Sequence, residues 1–138
     1  TIKVKPLQLL QDVSTRWDSV YFMINRLHEL QPAVDHFLAL PNHGDLAKFR
    51  ITPQEWKVME DFEMILSVPH RVQQIMSEKG MPILSGAIPA FEMFMTKWEQ
   101  LSDKHPHLKP FIQPGLDWAY EYYKHMDRTT VYIVAMCE

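Results

Sequence analysis

Thr52-Pro53-Gln54-Glu55-Trp56-Lys57-Val58-Met59, continuing to Ile75-Met76, is the stretch that decides the fold. A threonine oxygen can accept an N–H from the next turn, a proline at the first helical position needs no N–H, and a glutamate at the third reaches back. Together these mark a helix start. Trp56, Met59, Phe62, Ile65 and Leu66 then recur at spacings of three and four, so that stripe is expected to be buried. Pro69 predicts a kink, because it removes one hydrogen bond and crowds the turn before it. The stripe resumes at Val72, Ile75 and Met76, and Gly80 is a natural stop.

The same grammar extends in both directions. Upstream, Thr1 to Gln11 reads as a leading segment with two lysines and an apolar patch of Leu7, Leu9 and Leu10. Ser14 or Thr15 is placed to cap a helix whose face is Trp17, Val20, Tyr21, Ile24, Leu27 and Leu30. Pro32 should kink or break it, with Val34, Phe37 and Leu38 resuming before the turn Pro41-Asn42-His43-Gly44. Downstream, Met81 to Gly86 reads as a connector. A third long helix carries Ile88, Phe91, Met95, Trp98 and Leu101 and ends near His105-Pro106. A fourth starts near Pro110 or Pro114 and carries Leu116, Ala119, Tyr120, Tyr123 and Met126. The apolar tail from Val131 to Met136 fits a strand or a helix. The expected fold is all-α: an irregular bundle of four or more helices with proline kinks, in a single domain over residues 1–138.

Composition narrows function. With 14 basic and 17 acidic residues the net charge is −3, whereas an unaided grip on nucleic acid usually needs a basic surface. The single cysteine, Cys137, precludes an intrachain disulfide and favours a reducing compartment. No signal peptide is visible and no run approaches the ~20 apolar residues of a membrane helix, so no membrane role is expected. The chain begins at Thr1 and ends in an apolar stretch, so both ends are expected to be cut or processed.

Seven histidines raise metal and acid–base chemistry. His105 and His107 lie close in sequence, His43 sits near Asp45, and His28 and Asp35 lie two turns apart across Pro32. None has the three or four ligands at fixed spacing that zinc needs, and no metal or other cofactor is expected. Glu121 and His125, four apart on a helix, read as a solvated pair. Cys137 lacks a neighbouring base that would make it a nucleophile. Trp118, Tyr120, Tyr122 and Tyr123 cannot share one helix face. Some of them should meet solvent or a partner, and a homodimer or another protein is the expected occupant.

Asp12-Val13-Ser14-Thr15-Arg16-Trp17-Asp18-Ser19, followed by Tyr21, Met23 and Arg26, resembles the RW segment of hobo/Activator-type (hAT) transposases. The run from Thr52 through Glu78, with Phe62 and Leu66-Ser67 in register, is similar to that family's next helix. Pro82 to Pro89 resembles its connector. Tyr122 to Met126, with Thr130, Tyr132 and Ala135-Met136, resembles the segment before a Leu-x-Pro motif. The resemblance thus runs over nearly the whole chain. It implies the helical insertion of an RNase H-like transposase, with the catalytic aspartates lying upstream and the catalytic glutamate downstream. No catalytic residue is carried over, because an isolated carboxylate cannot organise a two-metal site. Arg16 and Trp17 are carried over as nucleic-acid-binding residues, the tryptophan stacking on a displaced base for roughly 1–3 kcal/mol. The competing role for Trp17 is to start the buried stripe of its helix while Arg16 pairs with a local acid.

The expectation is a transposase-derived helical module without catalysis of its own, contacting protein or assisting at DNA, intracellular and nuclear if transposase-like. Two alternatives stand beside it: a small enzyme with a cryptic His/Glu acid–base site, and a weak single-stranded nucleic-acid binder. A transposase fragment, a degenerate remnant and a domesticated product each fit this reading.

Overall fold

A computed structural model describes residues 6–16, 18–77 and 83–128. Among these residues the structure is helical, with no strand: α1 (Ser19–Glu29), α2 (Gln31–Ala39), a 3-10 segment (Pro41–Phe49), α3 (Pro53–Ser77), α4 (Ile83–Lys104), a 3-10 turn (Pro106–Leu108) and α5 (Lys109–Asp127). The all-α expectation holds. Trp17, Cys137 and the Val131 to Met136 tail lie outside the described residues.

Proline does much of the punctuation. Pro32 falls in the first turn of α2, so it breaks the run into α1 and α2. Pro53 opens α3, as its missing N–H permits. The capping pair at that start is formed as the spacing predicts. The backbone N–H and hydroxyl of Thr52 donate to Glu55 Oε2 at 2.7 and 2.9 Å, and the Glu55 N–H donates to Thr52 Oγ1 at 3.3 Å. Those hydrogen bonds hold the Glu55 carboxyl below its ordinary value.

Three boundaries differ from expectation. The residue at the start of α1 is Asp18 rather than Ser14 or Thr15, which sit in a turn. The Pro41 to Gly44 turn opens a 3-10 segment reaching Phe49, broken at His43. Helix α4 starts at Ile83, inside the stretch read as a connector.

The chain divides into two compact units, Thr1–Met64 and Ile65–Glu138. Among the described residues of the N-terminal unit, those buried are Ser19, Ile24 and Trp56. Leu7, Leu9, Leu10, Phe22, Phe37, Phe49 and Phe62 are all exposed. What joins its elements is largely polar. The Arg26 guanidinium, paired with Glu29 within α1 at 3.0 Å, donates to the Gln8 carbonyl at 3.2 Å, and Arg50 Nε donates to the Leu38 carbonyl at 3.0 Å.

The C-terminal unit has an apolar core. Val72, Ala87, Ala90, Met95, Leu108, Ile112, Leu116 and Ala119 are buried, Leu108 and Ile112 completely. Burying each of those two contributes about 1.5–3 kcal/mol. Trp98 organises the centre. Pro69 has no N–H to give the Ile65 carbonyl four residues back, and the Trp98 indole N–H donates to that carbonyl at 3.0 Å instead. Its ring packs on Phe94 with centroids 4.4 Å apart and fills the space over Gly115, where an added Cβ would lie 2.8 Å from Cη2. A glycine is required there by close approach. Tyr120 and Tyr123 tie α5 to α4 through hydroxyls donated to Glu99 and Glu92.

Candidate functional site

Arg16 sits in a loop closed by its neighbours. The Ser19 hydroxyl donates to the Asp12 carboxylate and accepts the Val13 N–H at 3.0 Å. Within that bracket the Arg16 N–H donates to the Val13 carbonyl at 2.8 Å and the Ser19 N–H to the Arg16 carbonyl at 3.1 Å. The Arg16 side chain is exposed, and among the described residues no acid is placed against it. Whether Trp17 accompanies Arg16 lies outside the described residues.

The most developed polar site lies elsewhere in the N-terminal unit, around Trp56. On α1, Asn25 and His28 stand three residues apart. Both reach Glu63 of α3: Asn25 Nδ2 donates to Glu63 Oε1 at 2.6 Å, and His28 Nδ1 bonds to Glu63 Oε2. The imidazole is stacked on the Trp56 ring, with centroids 5.6 Å apart and planes 30° apart. Trp56 Nε1 in turn donates to Asp35 Oδ1 of α2 at 3.3 Å. A carboxylate accepts only, so the hydrogen shared between the two lies on His28 Nδ1. The pair borders an open pocket of about 500 Å³ lined by His28, Gln31, Pro53, Trp56, Lys57, Glu60 and Glu63. That lining holds no hydroxyl or thiol nucleophile.

The sequence singled out neither Asn25 nor Glu63, and it set His28 beside Asp35 only as a poorly spaced ligand pair. The structure brings both of those residues onto Trp56. A signal was present: seven residues make nearly two turns, so Glu63 returns to the Trp56 face of α3.

The remaining histidines and acids form looser pairs. His105 and His107 meet edge to face at 5.9 Å, and His43 stacks on Phe37 at 4.2 Å. Glu121 takes Lys124 as its first partner at 2.8 Å, which lowers its carboxyl from the ordinary value, with a smaller contribution from His125. Among the described residues no group of three or more His, Cys, Asp and Glu side chains is placed to hold a metal ion. No described helix is long and apolar enough to cross a membrane.

On α5 the aromatics divide as their spacing demands. Phe111, Trp118 and Tyr122 are 66%, 69% and 59% exposed, whereas Tyr123 is half-buried. Positions 111, 118 and 122 fall on one side of the helix, roughly a quarter turn from the buried Leu108, Ile112, Leu116 and Ala119. The apolar arc of α5 is therefore wider than the part it buries.

Comparison with known proteins bears on the N-terminal unit. No curated protein and no solved structure matches the chain. Residues 2–65 match the family model described as the ZBED1 RNase-like helical domain. That span coincides within a residue at each end with the compact unit Thr1–Met64, and it contains the Asp12 to Arg26 segment on which the hAT resemblance rests. The resemblance is supported there, and the match stops short of its proposed continuation through residues 66–138. The chain thus carries, in its first 65 residues, a segment similar to the ZBED1 RNase-like helical domain.

Proposed function

We propose that this chain is a transposase-derived helical module that works by contact, with no hydrolysis or strand transfer of its own. The carrying observation is the exposed stripe Phe111, Trp118 and Tyr122 on α5. Large aromatics left in water beside a buried face are the usual centres of protein interfaces. A second copy of the chain is the simplest occupant, because a twofold pairing uses the same stripe on both partners. Sedimentation equilibrium should show self-association that Trp118→Ser abolishes; a monomer at all concentrations removes this reading. A magnesium- or manganese-supplemented cleavage assay should be blank, and activity surviving repurification would contradict the non-catalytic half.

A second role, assisting at DNA, draws on Arg16, which is exposed on a closed loop. Salt-sensitive binding of single-stranded DNA, weakened by Arg16→Ala and by Trp17→Ala, supports it. No binding at low salt ends it.

A further inference from the structure

The pocket beside Trp56 belongs to neither the aromatic stripe nor the Arg16 loop, and its chemistry is one-sided. Its lining carries two carboxylates, Glu60 and Glu63, against one ammonium, Lys57. Glu63 is already committed to Asn25 and His28. The groups left for a ligand include two acceptors, the exposed Glu60 carboxylate and the Gln31 amide oxygen.

We infer that this pocket seats an arginine side chain presented by a basic partner peptide. A guanidinium is planar, carries five N–H donors and no acceptor, and is weakly hydrated. It thus matches acceptors that line a pocket beside the Pro53 ring. A phosphate finds one ammonium and two repelling carboxylates. A lysine ammonium fits less well, being a compact and strongly hydrated charge without a planar fork. Lys57 is the one opposing group, and its long stem lets the charge turn to water when a guanidinium enters. The pocket, at about 500 Å³, has room for the whole side chain. Its site is preorganised, since His28 is held by Glu63 at one edge and by Trp56 on its face.

The test is an amide-resonance titration of the full chain with Nα-acetyl-arginine methylamide, up to roughly 50 mM because one side chain binds weakly. Parallel arms use the citrulline analogue, the lysine analogue and inorganic phosphate. Arginine should move resonances around His28, Lys57 and Glu60, the lysine analogue should move them less at equal concentration, and citrulline and phosphate should leave them still. Glu60→Gln, at an exposed position that folding does not need, should weaken arginine binding about tenfold. Equal shifts with citrulline or lysine, shifts of the same residues with phosphate, no shift with arginine, or an unaffected Glu60→Gln would each overturn the proposal.

Discussion

The two compact units are held together by different chemistry. The C-terminal unit buries Leu108, Ile112, Leu116 and Met95 in a continuous apolar centre. The N-terminal unit buries Ile24 and Trp56 and otherwise relies on polar stitches, Asn25 and His28 on Glu63, Trp56 on Asp35, and Arg26 on Gln8. A hydrogen bond adds a net ~0.5–1.5 kcal/mol, whereas a buried aliphatic side chain adds more and needs no exact partner geometry. The polar unit should open first. It is also the unit that matches a known domain family, and it leaves Leu7, Leu9, Phe22 and Phe49 exposed.

The sharpest way to break this contrast is a truncation in each core. Ile112→Ala, at a fully buried position, should destabilise the C-terminal unit by about 2–5 kcal/mol, read as lost hydrogen-exchange protection across α4 and α5. Ile24→Ala should fall at the low end of that range; an equal loss would mean the units are built alike. Next comes Trp98→Phe, which keeps the ring packing and strands the Ile65 carbonyl, at about 1–3 kcal/mol in urea unfolding. Glu63→Ala removes both stitches to α1 and should cost roughly 1–2 kcal/mol, since two hydrogen bonds between side chains only about a fifth exposed are lost. Its signature is faster exchange in α1 with α5 unchanged.

The smallest effect is a pH dependence at the start of α3. The Glu55 carboxyl is held down by Thr52, so its folded value lies below its unfolded one. That contribution is complete above the ordinary glutamate range, near ~4.3, and fades as pH falls through the lower folded value. Thr52→Ala should flatten that part of the stability profile, and an unchanged acid limb would show the capping pair to be idle.

What could be read from the sequence was local chemistry. The Thr52–Glu55 pair, the break at Pro32 and the end of α4 before Pro106 each follow from residues within a turn of one another. Errors arose where small offsets accumulate. The spacing puts Phe62 on the buried stripe through Met59, yet two steps of three residues leave it about a third of a turn behind Trp56. It is 46% exposed, and Glu63 takes the Trp56 face instead. Ser14 and Thr15 had the right chemistry for a cap, but the loop around Arg16 is closed by Asp12 and Ser19, and α1 begins after it. The pocket stayed hidden because its polar pair joins residues 28 and 63, whose proximity depends on how α1 and α3 pack.

The bond from Trp98 to the Ile65 carbonyl means that one turn of α3 is closed from outside the helix. A helix normally propagates by closing each turn on the one before; at Pro69 that sequence is interrupted, and the closing donor comes from a residue 33 positions away. The far half of α3 is thus scaffolded by α4. An isolated peptide spanning Pro53 to Ser77 should be helical up to the Ile65 turn and frayed beyond it, with order restored when the Trp98 segment is present in the same chain.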